Sequence, residues 1–142
     1  MQKKTFDELS TKELYELLAL RTEVFVVEQD CPYQEVDGKD VEAVHYWIES
    51  DGEIAAALRV LVNTSPIAIG RVVTRPGQRG KGYARELMRA AVADYEGVDL
   101  YLQAQTYVEP FYANFGFVRT SDEYLEDGIP HVDMVREKQA PN

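Results

Sequence analysis

The chain has 142 residues, 45% hydrophobic and 28% charged, with a formal net charge of −10, which suits one globular domain over residues 1–142. The acidic balance argues against a nucleic-acid-binding protein, and no apolar segment has the length of a membrane span or a signal peptide. One cysteine, Cys31, excludes an intrachain disulfide, and the two histidines have no zinc-ligand spacing, so we expect a cytoplasmic protein without a metal.

The first predicted element is a helix from about Thr11 to Val26. It begins at a capping box, because the Ser10 side chain can accept a hydrogen bond from the Glu13 amide while Glu13 reaches back to Ser10. The segment 27–38 that follows has no clean period and contains a proline and a glycine, which predicts a loop. Loops often carry function, and the carboxylates of this one would attract an amine: Glu28, Glu35 and Asp37.

Three predicted strands joined by short turns come next: Ala43–Glu49, Ile54–Val62 and Ile67–Thr74. Short connections make them an antiparallel meander. A glycine-rich turn then leads into an amphipathic helix that reaches Tyr95, followed by a strand, a short helix and two last strands: Val98–Ala104, Pro110–Phe115, Phe117–Thr120 and Val132–Arg136. A strand, a crossover helix and a strand make a parallel pair. The order therefore predicts an α+β fold with a mixed central sheet and flanking helices.

The turn before the long helix is rich in glycine and in positive charge. Gly77, Gly80 and Gly82 lie in it, and six of the fifteen Lys and Arg residues fall between Arg71 and Arg89, where only Glu86 opposes them. A strand that passes through such a turn into a helix aims free main-chain N–H groups and the positive end of the helix dipole at one point. The sequence therefore predicts a phosphate-binding site.

The spacing within this turn excludes two common nucleotide motifs. A mononucleotide P-loop requires Ser or Thr after its lysine, but Gly82 follows Lys81. A dinucleotide fingerprint requires glycine at position 85, which is Arg85. The remaining pattern is Arg79-x-x-Gly82-x-Ala84 between a strand and a helix. It resembles the signature of the GNAT superfamily of acyl-CoA-dependent N-acetyltransferases.

The resemblance extends over essentially the whole chain, because the predicted order of elements matches the GNAT fold. Three further segments are similar to the ElaA-like branch of that superfamily: Leu20–Gln29, Phe111–Phe117 and Gly128–His131. The resemblance implies that the strands Ile67–Thr74 and Val98–Ala104 splay apart into a V. In the family, the pantetheine arm of coenzyme A lies between these parallel central strands, and the loop amides hold its pyrophosphate.

By this resemblance the protein uses acetyl-CoA as a co-substrate and binds it with the strand Ile67–Thr74, the glycine-rich turn and the end of the strand Val98–Ala104. The implied cofactor-binding residues are Val72, Val73, Thr74, Arg79, Gly80, Lys81, Gly82, Tyr83, Ala84, Arg85 and Gln105. Gln105 could equally be an exposed strand end. The implied reaction is direct attack of a primary amine on the acetyl thioester in a ternary complex.

Three residues are candidates for catalysis. The family pattern Tyr-x-x-x-Gly-Phe falls on Tyr112 and makes its hydroxyl the general acid for the departing thiolate, although the ring could serve only as packing beside Phe111 and Phe115. Glu28 and His131 are candidates for the base, and His131 has the better intrinsic pKa for that role. Either group could instead hold a loop in place.

Two other functions remain open at this point: a non-catalytic coenzyme A-binding sensor or scaffold, and a nucleotide-phosphate binder. We expect a small-molecule amine acceptor rather than a protein, with no nucleic acid or membrane partner. The sequence leaves open which amine is acetylated, whether longer acyl groups are used, and whether the protein is a monomer or a homodimer.

Overall fold

A computed structural model describes residues 1–139, and residues 140–142 lie outside the described residues. One mixed sheet contains all eight strands, β1 to β8 in chain order: Gln2–Thr5, Ala43–Ser50, Glu53–Leu61, Ile67–Thr74, Leu100–Gln105, Val118–Arg119, Tyr124–Glu126 and Ile129–Arg136. The helices α1, α2 and α3 are Thr11–Arg21, Tyr83–Asp94 and Glu109–Ala113. In the described part of the chain, no helix is both long and apolar enough to cross a membrane.

The strand order is β1-β2-β3-β4-β5-β8-β6, with β7 paired to β8 beside β6. The predicted meander is confirmed, because β2, β3 and β4 pair antiparallel, and β4 and β5 are parallel as expected. Strands β1 and β7 were not predicted. Helix α1 begins after the predicted capping box at Ser10, ends at Arg21 and continues as a π-helical segment, Thr22–Glu28, close to the predicted end at Val26.

Helices cover the two faces of the sheet, and each face has its own hydrophobic core. Helix α2 buries Leu87, Met88 and Ala91 against one face. Helix α1 buries Leu17 and Leu20 against the other, where they meet the fully buried Trp47. Helix α1 covers only the part of this face that β2, β3 and β4 form. The same face of β5 and β8 carries polar side chains instead of an apolar core, which leaves room for a site there.

Strands β4 and β5 pair only at their N-terminal ends, where Ile67 lies beside Leu100 and Ala68 beside Tyr101. Beyond these two pairs the strands separate. A β-bulge on β4 accompanies the separation: the register with β3 shifts between Ala57 and Arg59, and Arg71 has a left-handed φ of 51°. Bulges bend the strand that contains them, so this one helps to turn β4 away from β5.

An arginine–carboxylate cluster holds the loop after α1 against the sheet, and its members are Arg21, Arg59, Arg71, Glu35, Asp37 and Asp40. Arg21 binds Asp40 through two parallel hydrogen bonds of 2.7 and 3.0 Å and also donates to Glu35. Burial alone would raise the pKa of Asp40, but the hydrogen bonds and positive charges of Arg21 and Arg59 together outweigh it and hold that pKa below its usual value.

Three arginines face three carboxylates, so the cluster is formally neutral. The side chain of Arg21 is only 3% exposed, and its removal would leave two buried carboxylates short of a cation. The loop 29–42 contains no strand and only a short 3₁₀ turn at Lys39–Glu42, so few main-chain hydrogen bonds hold it in place. We infer that the cluster fixes the conformation of this loop.

Replacement of Arg21 by Met should lower the free energy of unfolding by about 3–5 kcal/mol, because a buried ion pair that loses one partner leaves an uncompensated charge. Urea unfolding measures the change. The control is Lys12→Met, since Lys12 is 84% exposed and lies 3.8 Å from Glu16. We expect the control to change stability by less than about 0.5 kcal/mol. Equal effects of the two substitutions would contradict a structural role for the cluster.

Candidate active site

The divergence of β4 and β5 opens a cleft of about 980 Å³. Its walls come from the two splayed strands, the turn before α2, helix α3, the loop after α1 and the turn between β7 and β8. The cleft contains every site residue predicted from the sequence except Lys81. Residues far apart in the chain, such as Glu28, Tyr112 and His131, therefore border one cavity.

The positive end of the cleft is the N-terminus of α2. Gly82 caps this helix with a left-handed φ of 81° and no side-chain cap. The first main-chain N–H bonded within the helix belongs to Glu86, which donates to Gly82 O at 3.1 Å. The preceding N–H groups of Tyr83, Ala84 and Arg85 have no acceptor among the described residues. An anion at this point would satisfy them.

Gly80 and Gly82 leave this helix terminus open. A Cβ atom at either position would meet no protein atom within 4 Å, so no protein atom crowds either glycine. Arg79 lines the same end of the cleft, whereas the Lys81 ammonium donates to Gln78 Oε1 at 2.9 Å. The donor set of free amides and cations fits a diphosphate, the anion expected from the sequence.

The predicted strand residues Val72, Val73 and Thr74 lie in β4 after the point where it leaves β5. The parallel neighbour of this edge is missing, so main-chain groups that point toward β5 have no strand partner. At the end of β5, the Gln105 side chain exchanges amide hydrogen bonds of 3.3 and 3.5 Å with Gln29. Gln105 therefore ties the loop after α1 to the rim of the cleft.

Tyr112 lies in α3 and is 9% exposed, with its ring packed edge-on against Phe111 and Phe117 at centroid distances of 5.2 and 6.4 Å. Aromatic packing therefore fixes the ring, but its hydroxyl has no hydrogen-bond partner among the described residues. Burial raises the pKa of this hydroxyl, so it remains protonated at neutral pH. The arrangement can supply a proton to a group inside the cleft.

His131 lies in β8, opposite Gln105 of β5, and lines the cleft. Its Nδ1 atom is 2.7 Å from the carbonyl oxygen of Ile129. A carbonyl can only accept, so Nδ1 carries the hydrogen and donates it. In the neutral ring, Nε2 then keeps its lone pair and can accept a proton.

Glu28 also lines the cleft, and its Oε1 accepts a hydrogen bond of 2.6 Å from Arg79. Both side chains are exposed, at 39% for Glu28 and 48% for Arg79. This hydrogen bond thus joins Glu28, a candidate base, to Arg79, the first residue of the predicted phosphate-binding motif. A contact between residues 51 positions apart was not predictable from either motif alone.

The expectation that the acidic loop would attract an amine is wrong for Glu35 and Asp37. Glu35 pairs with Arg21 and Arg71, and Asp37 pairs with Arg59 at 2.6 Å. Burial tends to raise the pKa of Asp37, but hydrogen bonds from Arg59 and from the Lys39 amide lower it well below its usual value. These charges are neutralised internally and leave little field for a substrate.

Several side chains in or beside the cleft were missed by the sequence analysis: Gln29, Tyr33, Arg71, Tyr101, Gln103, Tyr124 and Asp133. Arg71 was counted only as part of a basic segment, yet its guanidinium stacks on the Tyr33 ring at 5.2 Å. Alternation along β5 could have placed Tyr101 and Gln103 on the same face as Gln105. Residues 1–139 contain no group of three His, Cys, Asp or Glu side chains placed to hold a metal ion.

Comparison with known families agrees with this geometry. The family model described as "Acetyltransferase (GNAT) domain" matches residues 6–138. A UPF0039 protein of Mycobacterium tuberculosis, Rv2851c, is 46% identical over 136 residues, which cover 91% of this chain and 87% of the relative. The chain therefore has close relatives along nearly its full length.

Two solved structures are also similar. An acyl-CoA N-acyltransferase from Pseudomonas aeruginosa is 43% identical with a TM-score of 0.87, and the match covers 95% of this chain and 97% of the other. Escherichia coli ElaA is 38% identical with a TM-score of 0.89, covering 96% and 97%. The splayed mixed sheet is thus the GNAT fold, and the chain belongs to the GNAT acyltransferases, in the branch that contains ElaA.

Proposed function

We propose that the protein is an acetyl-CoA-dependent N-acetyltransferase that acts on a primary amine of a small molecule. The observation that carries this proposal is the cleft between β4 and β5. It has helix amides at one end and the Tyr112 hydroxyl on its wall, and neither has a hydrogen-bond partner among residues 1–139. The P. aeruginosa relative is described as an acyl-CoA N-acyltransferase, which supports the same class of donor.

In this proposal coenzyme A occupies the cleft with its pyrophosphate at the start of α2. The amides of residues 83–85 donate to it, and Arg79 and Arg85 add positive charge. The unpaired edge of β4 at residues 72–74 bonds to the amides of the pantetheine arm as an added strand would. Lys81 contributes charge from outside the cleft wall.

The reaction is direct attack of the amine nitrogen on the thioester carbonyl carbon. A C–N bond forms, the C–S bond breaks, and the thiolate leaves with the electron pair. Nε2 of His131 takes one proton from the bound ammonium, which frees the nitrogen lone pair for attack. The nitrogen loses its second proton as Tyr112 donates a proton to the sulphur and is itself reprotonated. The Tyr112 hydroxyl is protonated before reaction, and in the neutral form of His131 the hydrogen lies on Nδ1, which leaves Nε2 free to accept the proton.

The acceptor enters on the α1 side of the sheet. There the cleft is lined by polar side chains of the loop after α1, of β5 and of the β7–β8 turn: Tyr33, Tyr101, Gln103, Glu126, Asp127 and His131. Among the described residues, Glu126 and Asp127 belong to no ion pair, unlike the carboxylates of the loop. This wall favours a small amine that carries a positive charge when it binds.

Glu28 acts in this scheme only after coenzyme A has bound. Its pair with Arg79 is exposed, and such pairs contribute about 0–1 kcal/mol. A pyrophosphate carries more negative charge than one carboxylate and also binds the free amides at the start of α2, so it displaces Glu28 from Arg79. The released carboxylate can then bind the ammonium form of the acceptor, which links amine recognition to the presence of the donor.

Replacement of Glu28 by Gln should raise the affinity for acetyl-CoA by about twofold to fivefold, because it removes a competitor for Arg79 worth up to about 1 kcal/mol. Isothermal calorimetry measures the change. Glu23→Gln is the matched control, since Glu23 is an exposed carboxylate 3.7 Å from another arginine of the same region, Arg75. Weaker acetyl-CoA binding by Glu28→Gln would contradict the proposal that the pyrophosphate displaces Glu28 from Arg79.

Replacement of Tyr112 by Phe should lower kcat by about 10²–10⁴-fold while the Kd for acetyl-CoA stays nearly constant, because a general acid acts in the transition state. Release of free thiol in the presence of an amine acceptor measures the rate. The acceptor is the best substrate from a panel of amino acids, polyamines and amino sugars.

The matched control is Tyr95→Phe, because Tyr95 packs against the same hydrophobic core but does not line the cleft. It should retain wild-type kcat. Thiol release by Tyr112→Phe at the wild-type rate would remove Tyr112 from the chemistry, and the proton would then come from water or from the acceptor ammonium.

We also propose that residues 1–142 form one GNAT domain, which is supported by the family match over residues 6–138 and by one sheet that runs from Gln2 to Arg136. The cytoplasm is the proposed location. Cys31 is a free thiol, which suits a reducing compartment.

A further inference from the structure

The face of β5 and β8 that borders the acceptor end of the cleft contains a connected set of polar side chains. Strand periodicity places Gln103 and Gln105 on this face, and their cross-strand partners are Asp133 and His131. The alternate residues of β5, such as Leu102, are buried in the core on the opposite face. The alternation of side chains along β5 and β8 therefore places these four polar residues on one face of the sheet.

Asp133 is the fixed centre of this set. Its Oδ1 atom accepts hydrogen bonds from the hydroxyls of Tyr124 at 2.7 Å and Tyr101 at 2.9 Å. Its main-chain N–H donates to Ser121 Oγ at 2.9 Å. No cationic side chain among the described residues pairs with it, in contrast to the three carboxylates of the arginine–carboxylate cluster. Two tyrosine hydroxyls therefore provide its side-chain hydrogen bonds.

These bonds keep both tyrosines protonated and in place. Burial, followed by the hydrogen bond to Asp133, raises the pKa of Tyr101 to about 12 and raises that of Tyr124 as well. Each hydroxyl is therefore a permanent donor at neutral pH. The hydroxyl of Tyr124 fixes one end of its ring, and pairing of Tyr124 with His131 across β7 and β8 fixes the main-chain end.

The ring of Tyr124 stacks on the ring of His131, with a centroid distance of 6.1 Å and an interplanar angle of 20°. His131 thus has two restraints: the Nδ1–H bond to the Ile129 carbonyl selects its tautomer, and the Tyr124 ring limits rotation of its plane. If the imidazole rotated, the Nδ1–H bond would break and Nε2 would no longer keep a defined lone pair toward the cleft.

We propose that Tyr124 and Asp133 are positioning residues that act through His131: Asp133 anchors the Tyr124 hydroxyl, and the Tyr124 ring holds the imidazole with Nε2 toward the acceptor amine. The proposal rests on the proposed function, in which His131 accepts the amine proton. It assigns a role to β7, a three-residue strand that otherwise lies at the edge of the sheet.

Nitrogen-15 NMR of the histidine rings tests the arrangement without any ligand. The chain has two histidines, and the other one, His45, is an internal reference because its Nε2 is 3.0 Å from the Asp40 carbonyl. Spectra are recorded at a pH above which the ring signals no longer change, so that the tautomer of each neutral ring is measured. The wild-type protein should show His131 with hydrogen on Nδ1 and His45 with hydrogen on Nε2.

Tyr124→Phe keeps the ring and removes the anchored hydroxyl, whereas Tyr124→Leu removes the stack. We expect the fraction of His131 with hydrogen on Nε2 to be higher in Tyr124→Phe than in the wild type, and higher still in Tyr124→Leu. The His45 signals should not change. The kcat for the best amine of the acceptor panel should fall severalfold in Tyr124→Phe and by at least about tenfold in Tyr124→Leu, part of the 10²–10⁴-fold that a positioned proton-transfer group contributes. Binding of acetyl-CoA should not change.

Tyr46→Phe is the matched control, because the Tyr46 hydroxyl also donates to a carboxylate, Asp94 Oδ2 at 2.7 Å, but lies away from the cleft. It should leave the His131 signals and kcat unchanged. Unchanged His131 signals in both Tyr124 variants would overturn the positioning role. His131→Gln separates this result from the proposed function: if that variant keeps wild-type kcat, His131 is not the base, whatever the ring signals show.

Discussion

Strands β4 and β5 hydrogen-bond over only two residue pairs before they separate, and the proposed function depends on that separation. Main-chain groups on the facing edges lose their strand partners, and a ligand with its own amides can replace them. The bulge at Arg71 bends β4 away from β5, while antiparallel pairing with β8 along its whole length holds β5 in place. The cleft thus lies between a bent strand and a fixed strand, and helix α2 begins at its end.

The arginine–carboxylate cluster determines the wall of this cleft on the α1 side. Its arginines come from three separate elements, α1, β3 and β4, so the loop that carries Glu35, Asp37 and Asp40 is tied to the sheet at several points. Because the cluster is neutral, the wall does not repel an acyl donor with several phosphates, despite a formal net charge of −10 for the chain. Glu126 and Asp127, which belong to no ion pair among the described residues, line the cleft near the proposed acceptor end.

Local patterns predicted most of the fold, whereas long-range pairing was accessible only from the structure. The capping box at Ser10 and the glycines before α2 determine helix starts through nearby atoms, so the sequence located them. Strand β1 is polar and largely exposed, and β7 has three residues, so neither has a hydrophobic period. The contacts between Arg79 and Glu28 and between Tyr124 and His131 depend on register and loop path, which no motif specifies.

The central claim, that the amides at the start of α2 bind the pyrophosphate of acetyl-CoA, is tested most directly by calorimetry on Gly82→Asp. Aspartate tolerates a left-handed φ, and its Cβ would meet no protein atom within 4 Å, so the fold should survive while a carboxylate enters the anion site. Gly52→Asp is the control, with a φ of 79° and equal free space in a hairpin turn away from the cleft. The account predicts that the Kd for acetyl-CoA rises at least about tenfold, or about 1.4 kcal/mol, in Gly82→Asp only. Equal affinity in the two folded variants would contradict it.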